Sequence, residues 1–241
     1  MPRYFIEVSY KGTHYSGFQV QQNANTVQAE VEKALRVYYK KEFNLTGSSR
    51  TDAGVHAMQN FFHFDTDTIL KKDTYNLNAI LPADIVVKSI REVKETAHCR
   101  FDALTREYNY HIYQQKNPFL QGTALYIPYN LDIELMQAAA AEIMSHTDFS
   151  SFAKRNTQVS SFLCKIHKSE WIKEDDCIIY KIKANRFLRG MVKGLVGTML
   201  SVGKRKITLN DFKEIIAAGD CTKADFSVSP DGLILVEVAF L

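Results

Sequence analysis
Residues 48–57 read Ser48-Ser49-Arg50-Thr51-Asp52-Ala53-Gly54-Val55-His56-Ala57. Immediately before them, Val27, Val31, Leu35 and Tyr38 repeat at helical spacing, with Asn25 and Gln28 placed as a capping box. Immediately after them, residues 58–64 are short and aromatic-rich, as in a strand. The quoted stretch is therefore a helix-to-strand loop. Further out, residues 3–10 alternate, with Tyr4, Ile6, Val8 and Tyr10 on one face, and residues 84–93 form a strand after the break at Pro82.

The second half uses the same grammar. Arg106, Tyr108, Tyr110 and Ile112 share one face of a strand, and Asp132 is placed to cap a helix bearing Ile133, Met136, Ala140 and Ile143. Strands near 163–173 and 177–184 precede a helix whose stripe is Met191, Val192, Leu195, Val196 and Met199. Thr208 and Asp211 cap a last helix, and residues 233–240 form a closing strand. Strands and helices mix without regular βα alternation, which predicts an α+β fold. The boundary falls near residue 104 and gives halves 1–104 and 105–241.

The chain has 241 residues, enough for a sizeable core without staples. Thirty Lys and Arg against 27 Asp and Glu leave a net charge of +3, which permits a nucleic-acid partner without requiring one. Cys99, Cys164, Cys177 and Cys221 lack CxxC spacing and read as free thiols of a reducing, cytoplasmic compartment. No apolar run is long enough for a signal peptide or a membrane span.

Several chemistries find no support. Gly197 to Gly203-Lys204 is one residue too long for a phosphate loop, and Arg205 stands where Ser or Thr is needed. Neither HExxH nor Gly-x-Ser-x-Gly occurs, so neither a metal nor a hydrolase nucleophile is expected, and no cofactor is implied. Asp65 and Asp67 near Asp52 suggest a glycosidase pair, but Asp and Thr cluster ordinarily at strand ends.

The loop itself holds the most chemistry. Arg50 and Asp52 are two residues apart, and Gly54 allows a tight backbone. A carboxylate beside a guanidinium stays ionised, and an ionised carboxylate can be a nucleophile. By spacing alone, the segment reads better as a surface turn, because such turns are common.

The run RTDAGVHA resembles the active-site signature of the TruA family of tRNA pseudouridine synthases. Other blocks are similar and in order. They are Tyr10-Lys11-Gly12-Thr13 through Gly17-Phe18-Gln19, Thr26-Val27-Gln28, Asn78 through Leu81-Pro82, Arg100-Phe101-Asp102-Ala103 and Arg106 to Tyr110. Asp148 to Phe152, Ala184 to Leu188 with Met191-Val192-Lys193, and Ser229 to Leu233 complete them, so the resemblance spans nearly the whole chain.

The resemblance implies two ferredoxin-like halves sharing a broad, mainly antiparallel sheet, with an active-site cleft between them. It implies isomerisation of uridine to pseudouridine at positions 38, 39 and 40 of the tRNA anticodon stem-loop, by a homodimer, without cofactor or metal. Asp52 maps to the nucleophile. Tyr108 maps to the tyrosine that stacks on the target base and takes part in proton removal, although by spacing alone it reads as a core aromatic. Lys193 maps to the basic partner of the aspartate, where the family commonly has arginine. Lysine keeps the charge and loses the planar fork. Arg50 maps to the arginine that fills the stack vacated by the target base. Ser49 replaces the usual glycine. Arg186 and Arg189, with Lys154, Arg155, Lys165, Lys168, Lys204, Arg205 and Lys206, are expected along an RNA groove. A synthase for another uridine and a non-catalytic RNA-binding module are the alternatives, and an intact Asp52 argues against the second.

Overall fold
A computed structural model describes residues 1–70, 74–155 and 159–240. The fold is α+β, with nine strands and five α-helices among the described residues. The chain divides into two compact units, Met1–Leu104 with Ile234–Leu241, and Thr105–Leu233.

The first unit begins with β1 (Arg3–Tyr10), whose alternation buries Ile6, Val8 and Tyr10. α1 (Val27–Tyr39) follows and buries Val31, Ala34 and Leu35. Its cap differs from expectation. Thr26, in extended backbone, accepts the Ala29 amide at 3.3 Å. Asn25 instead donates to the His14 carbonyl, and the Gln28 side chain accepts the Val20 amide and donates to the Leu45 carbonyl. Both side chains are committed to the neighbouring loop, so neither serves the helix end.

β2 (Thr46–Gly47) and β3 (His56–Asp65) flank the quoted loop. Within this unit β4 (Ile85–Val93), β1, β3 and β9 (Leu233–Ala239) are neighbours in that order, with β2 on β3. The β1–β4 and β1–β3 pairs are antiparallel, and β3–β9 is parallel through His56–Ile234 and Ala57–Leu235. Phe18 lies flat on Phe62, with centroids 4.3 Å apart and planes at 9°, and both rings are fully buried. Burying a side chain of that size contributes roughly 1.5–3 kcal/mol. A helix the periodicity does not announce, α2 (Tyr75–Ile80), spans less than two turns. Asn78 ties it to β4 with two hydrogen bonds to the Val87 backbone, at 2.8 and 2.9 Å.

In the second unit, β5 (Thr105–Tyr113), β8 (Cys177–Ala184) and β7 (Ile166–Glu174) form an antiparallel run, with β6 (Leu125–Tyr126) parallel to β5. α3 (Ile133–Ile143) packs on β7, capped by Asp132 as the sequence predicts. α4 (Met191–Gly203) is buried along most of its length. α5 (Leu209–Ala217) opens with the Thr208–Asp211 capping box. The tight approach around α4 explains its glycines, since a Cβ on Gly197 would stand 2.1 Å from the Asp225 carbonyl oxygen. Among the described residues, no helix is long and apolar enough to cross a membrane.

Candidate active site
Asp52 sits half-buried in the loop between β2 and β3. What positions it is a buried polar clamp from the sheet beneath. Asn60, fully buried on β3, accepts the Ser49 amide at 3.2 Å and donates to the Ser49 carbonyl at 2.8 Å. The same Asn60 amide donates to the Tyr10 hydroxyl at 3.1 Å, and that hydroxyl shares a 2.8 Å hydrogen bond with Thr51 Oγ1. A polar network satisfied at each member rigidifies its surroundings. Burial also pushes the Tyr10 hydroxyl above its ordinary titration range, so it remains protonated and able to donate.

The backbone adds a second set of ties. The Phe18 amide donates to the Thr51 carbonyl at 3.1 Å, and the Gly54 amide to the Tyr15 carbonyl at 3.3 Å. Val55 N–H donates to the Asp52 carbonyl at 3.2 Å, closing a turn in which Gly54 takes φ +78°. His56 Nδ1 accepts the Gly12 amide at 2.9 Å, which leaves the proton of a neutral ring on Nε2. Gly12 approaches so closely that a Cβ there would lie 2.0 Å from the Val55 carbonyl oxygen. The stretch that carries Asp52 is thus tied to residues 10–18 by four hydrogen bonds.

Ser49 is one of two serines in this loop whose hydroxyls are buried without a hydrogen-bond partner; the other is Ser48. Both bonds to Asn60 use the Ser49 backbone, so Ser49→Ala keeps them. The expected outcome is stabilisation by about 1 kcal/mol, a rise in Tm of roughly 2–4 °C for a chain this long. Thermal unfolding of the two proteins checks it, and a lower Tm in the variant contradicts the assignment of an unpaired hydroxyl.

The remaining sequence-predicted residues divide between the units. Arg50 is exposed beside Asp52 in the first. Tyr108 projects from β5 in the second, half-buried, with its ring edge-to-face against Phe187 at 5.1 Å and 86°. Tyr110, two residues on, is fully buried and donates its hydroxyl to the Ser229 carbonyl at 2.6 Å. Lys193 lies in the first turn of α4, half-buried between buried neighbours Val192 and Gly194.

Arg186 and Arg189 occupy the segment entering α4, half-buried and exposed respectively. There the Lys154 amide donates to the Arg189 carbonyl at 3.0 Å, and the Lys154 stem lies against Gly190. Lys204, Arg205 and Lys206 follow the other end of α4, about 20 Å away at 1.5 Å per residue. Arg205 is paired with Asp132 at 2.8 Å and Lys168 with Glu170 at 3.0 Å. The nine basic residues are therefore not a single patch.

The carboxylates weighed as a glycosidase pair are engaged otherwise. Asp65 accepts hydrogen bonds from Arg3 Nε and Nη2 at 2.7 and 2.8 Å, and that guanidinium holds its carboxyl below the usual range. Asp67 pairs with Lys41. Among the described residues there is no cluster of three or more His, Cys, Asp or Glu side chains able to hold a metal. All four cysteines are free thiols. Tyr10, Gly12, Asn60 and Phe187 gain no site role from the sequence, where three of them stand only as strand or motif residues. They act by shape and buried hydrogen bonding, which leave no mark in spacing or charge.

Comparison with known proteins agrees along the chain. The sequence profile described as tRNA pseudouridine synthase matches residues 6–102 and 139–240. A tRNA pseudouridine synthase A of Azobacteroides pseudotrichonymphae is 40% identical over 242 residues, covering 100% of this chain and 97% of its own length. The protein of the same name from Bacteroides thetaiotaomicron is 41% identical, with 100% and 91% covered. That of Staphylococcus aureus is 36% identical, with 98% and 91% covered. Both criteria, profile and full-length identity, point the same way: the chain belongs to the tRNA pseudouridine synthase family.

Proposed function
We propose that the chain isomerises uridine to pseudouridine at positions 38, 39 and 40 of the tRNA anticodon stem-loop, with Asp52 as nucleophile and no cofactor or metal. The observation that carries this is the clamped Asp52 loop. A nucleophile held by a rigid shell starts close to its attack geometry, and this one is held at Ser49, Thr51, Gly54 and Val55.

In the reaction, the N1–C1′ bond breaks, the uracil turns, and a C5–C1′ bond forms. N1 gains a proton and C5 loses one. Displacement at C1′ by the Asp52 carboxylate, or its reversible addition to C6 of the ring, divides the exchange into easier steps. Tyr108 is assigned to the face of the target base and to removal of the C5 proton. Lys193 is assigned as the basic partner of Asp52. Arg50 is assigned to the gap left by the extruded base, and Arg186 and Arg189 to the RNA backbone. The first half, 1–104, thus brings the nucleophile loop, and the second, 105–241, the tyrosine and the basic partner. The working form is a homodimer bridged by tRNA, in the cytoplasm.

Release of tritium from tRNA labelled at uridine C5 tests the activity directly. Mapping pseudouridine in tRNA from cells lacking the protein tests the positions. Loss at 38–40 alone is expected, and loss at a different uridine replaces the assignment. Tyr108→Phe keeps the ring that packs on Phe187 and removes the hydroxyl. Single-turnover isomerisation by this variant is expected to fall by about a hundredfold, the low end for a lost acid–base group. A wild-type rate would mean that only the ring matters.

A further inference from the structure
A groove of about 330 Å³ opens on the first unit beside the Asp52 loop, lined by Gln19, Thr46, Arg50, His98, Arg100 and Phe101 among others. Its most unusual member is Phe101, a residue 74% exposed. The ring is nevertheless not loose. His98 contacts it at 4.2 Å between centroids, and His98 in turn meets His63 edge-on at 4.5 Å. The turn that presents it is pinned, because His98 Nδ1 accepts the Arg100 and Phe101 amides while the His98 amide donates to Asp102 at 2.7 Å. Burial holds the His98 imidazole below its ordinary range, so the ring stack is neutral near pH 7.

An aromatic face held ready in this way suits a planar ligand. The charge beside it suits an anion. Arg50 and Arg100 both line the groove, with the Arg100 guanidinium 5.6 Å from the Phe101 centroid, and no carboxylate lines it among the described residues. A volume near the lower limit for ligand sites excludes a run of several residues or bases. Arg50 is two residues from Asp52, which sets their Cα atoms at most about 7 Å apart.

We propose that this groove holds one unpaired nucleotide of the RNA substrate, next to the target uridine, with its base on the Phe101 ring and its phosphate on Arg100. This rests on the chain acting on RNA, as proposed above. It adds a second grip on the substrate, distinct from the pocket of the extruded base.

The test is the affinity of the full-length protein for a fluorescently labelled anticodon stem-loop RNA, across a range of salt. Phe101→Leu keeps an apolar side chain and removes the stacking face, and binding is expected to weaken about tenfold. Phe101→Trp restores a ring and is expected to bind close to wild type. Arg100→Gln is expected to lower the slope of log affinity against log salt by about 0.7–0.9, one phosphate contact. Unaltered binding by Phe101→Leu, or an unaltered slope in Arg100→Gln, overturns the proposal. So does equal weakening by Leu and Trp, which would mean packing rather than stacking, or a change in oligomeric mass of Phe101→Leu at full RNA affinity. C5 tritium release by the wild type separates the two levels. Release with normal binding by Phe101→Leu removes only this groove, whereas no release from any tRNA removes the isomerase assignment and leaves the binding result to stand alone.

Discussion

Asp52→Asn is expected to abolish isomerisation while leaving tRNA binding close to wild type. Removing a nucleophile outright lowers kcat by a factor on the order of a million, about 8 kcal/mol at 1.36 kcal/mol per tenfold. The amide keeps the shape of the side chain and loses the negative charge that attacks carbon. The loop itself is expected to survive, because the bonds that position it run through Ser49, Thr51, Asn60, Tyr10 and backbone groups. The measurement is single-turnover formation of pseudouridine, with RNA affinity and Tm taken on the same preparation. Turnover near wild type would end the nucleophile assignment. Turnover and Tm lost together would show that the carboxylate holds the loop, so Asp52→Glu then decides. It retains the charge one methylene too far, and it is expected to be inactive yet folded.

Lys193→Ala is the second large effect. A charge partner removed from a fully buried pair costs about 3–5 kcal/mol, and an exposed pair at most about 1 kcal/mol. Lys193 and Asp52 are each half-buried, so an intermediate loss on the order of a hundredfold is expected, about 2.7 kcal/mol. Lys193→Arg returns the charge and is expected to retain much of the activity, with some loss because a longer planar head must enter space shaped by lysine. Single-turnover rates of the three proteins check this. If Lys193→Ala turns over at the wild-type rate, the lysine is an ordinary helix residue.

Much of the secondary structure is legible in the sequence because period and capping coincide. β1 and β5 alternate, and Asp132 and Thr208 stand before apolar stripes. Where two chemistries compete for the same side chains, reading fails. Asn25 and Gln28 have the types and spacing of a cap, but the loops on either side claim them, and Thr26 takes the role. α2 escapes because six residues cannot display a helical repeat. The candidate site is noticed in the sequence for a different reason. Asp52 and Arg50 are charged, two residues apart and near Gly54, so they attract notice before any partner is known. Their support is invisible at that level. Asn60 sits in an aromatic strand with nothing to distinguish it, and its importance arises only when folding brings Tyr10 and Ser49 within 3.1 and 2.8 Å of its amide nitrogen.

The contact between Gly12 and Val55 has a consequence for how this protein fails under stress. A segment that leans on another opens only when that other opens, and the Asp52 loop leans on residues 10–18 through the Gly12, Tyr15 and Phe18 backbones. The loop thus borrows its order from the end of β1 rather than supplying its own. Fraying at that strand end slackens the Asp52 loop before the sheet as a whole gives way. On gentle warming, turnover is then expected to fade while far-ultraviolet circular dichroism remains flat, making catalysis the earlier thermometer of damage in β1.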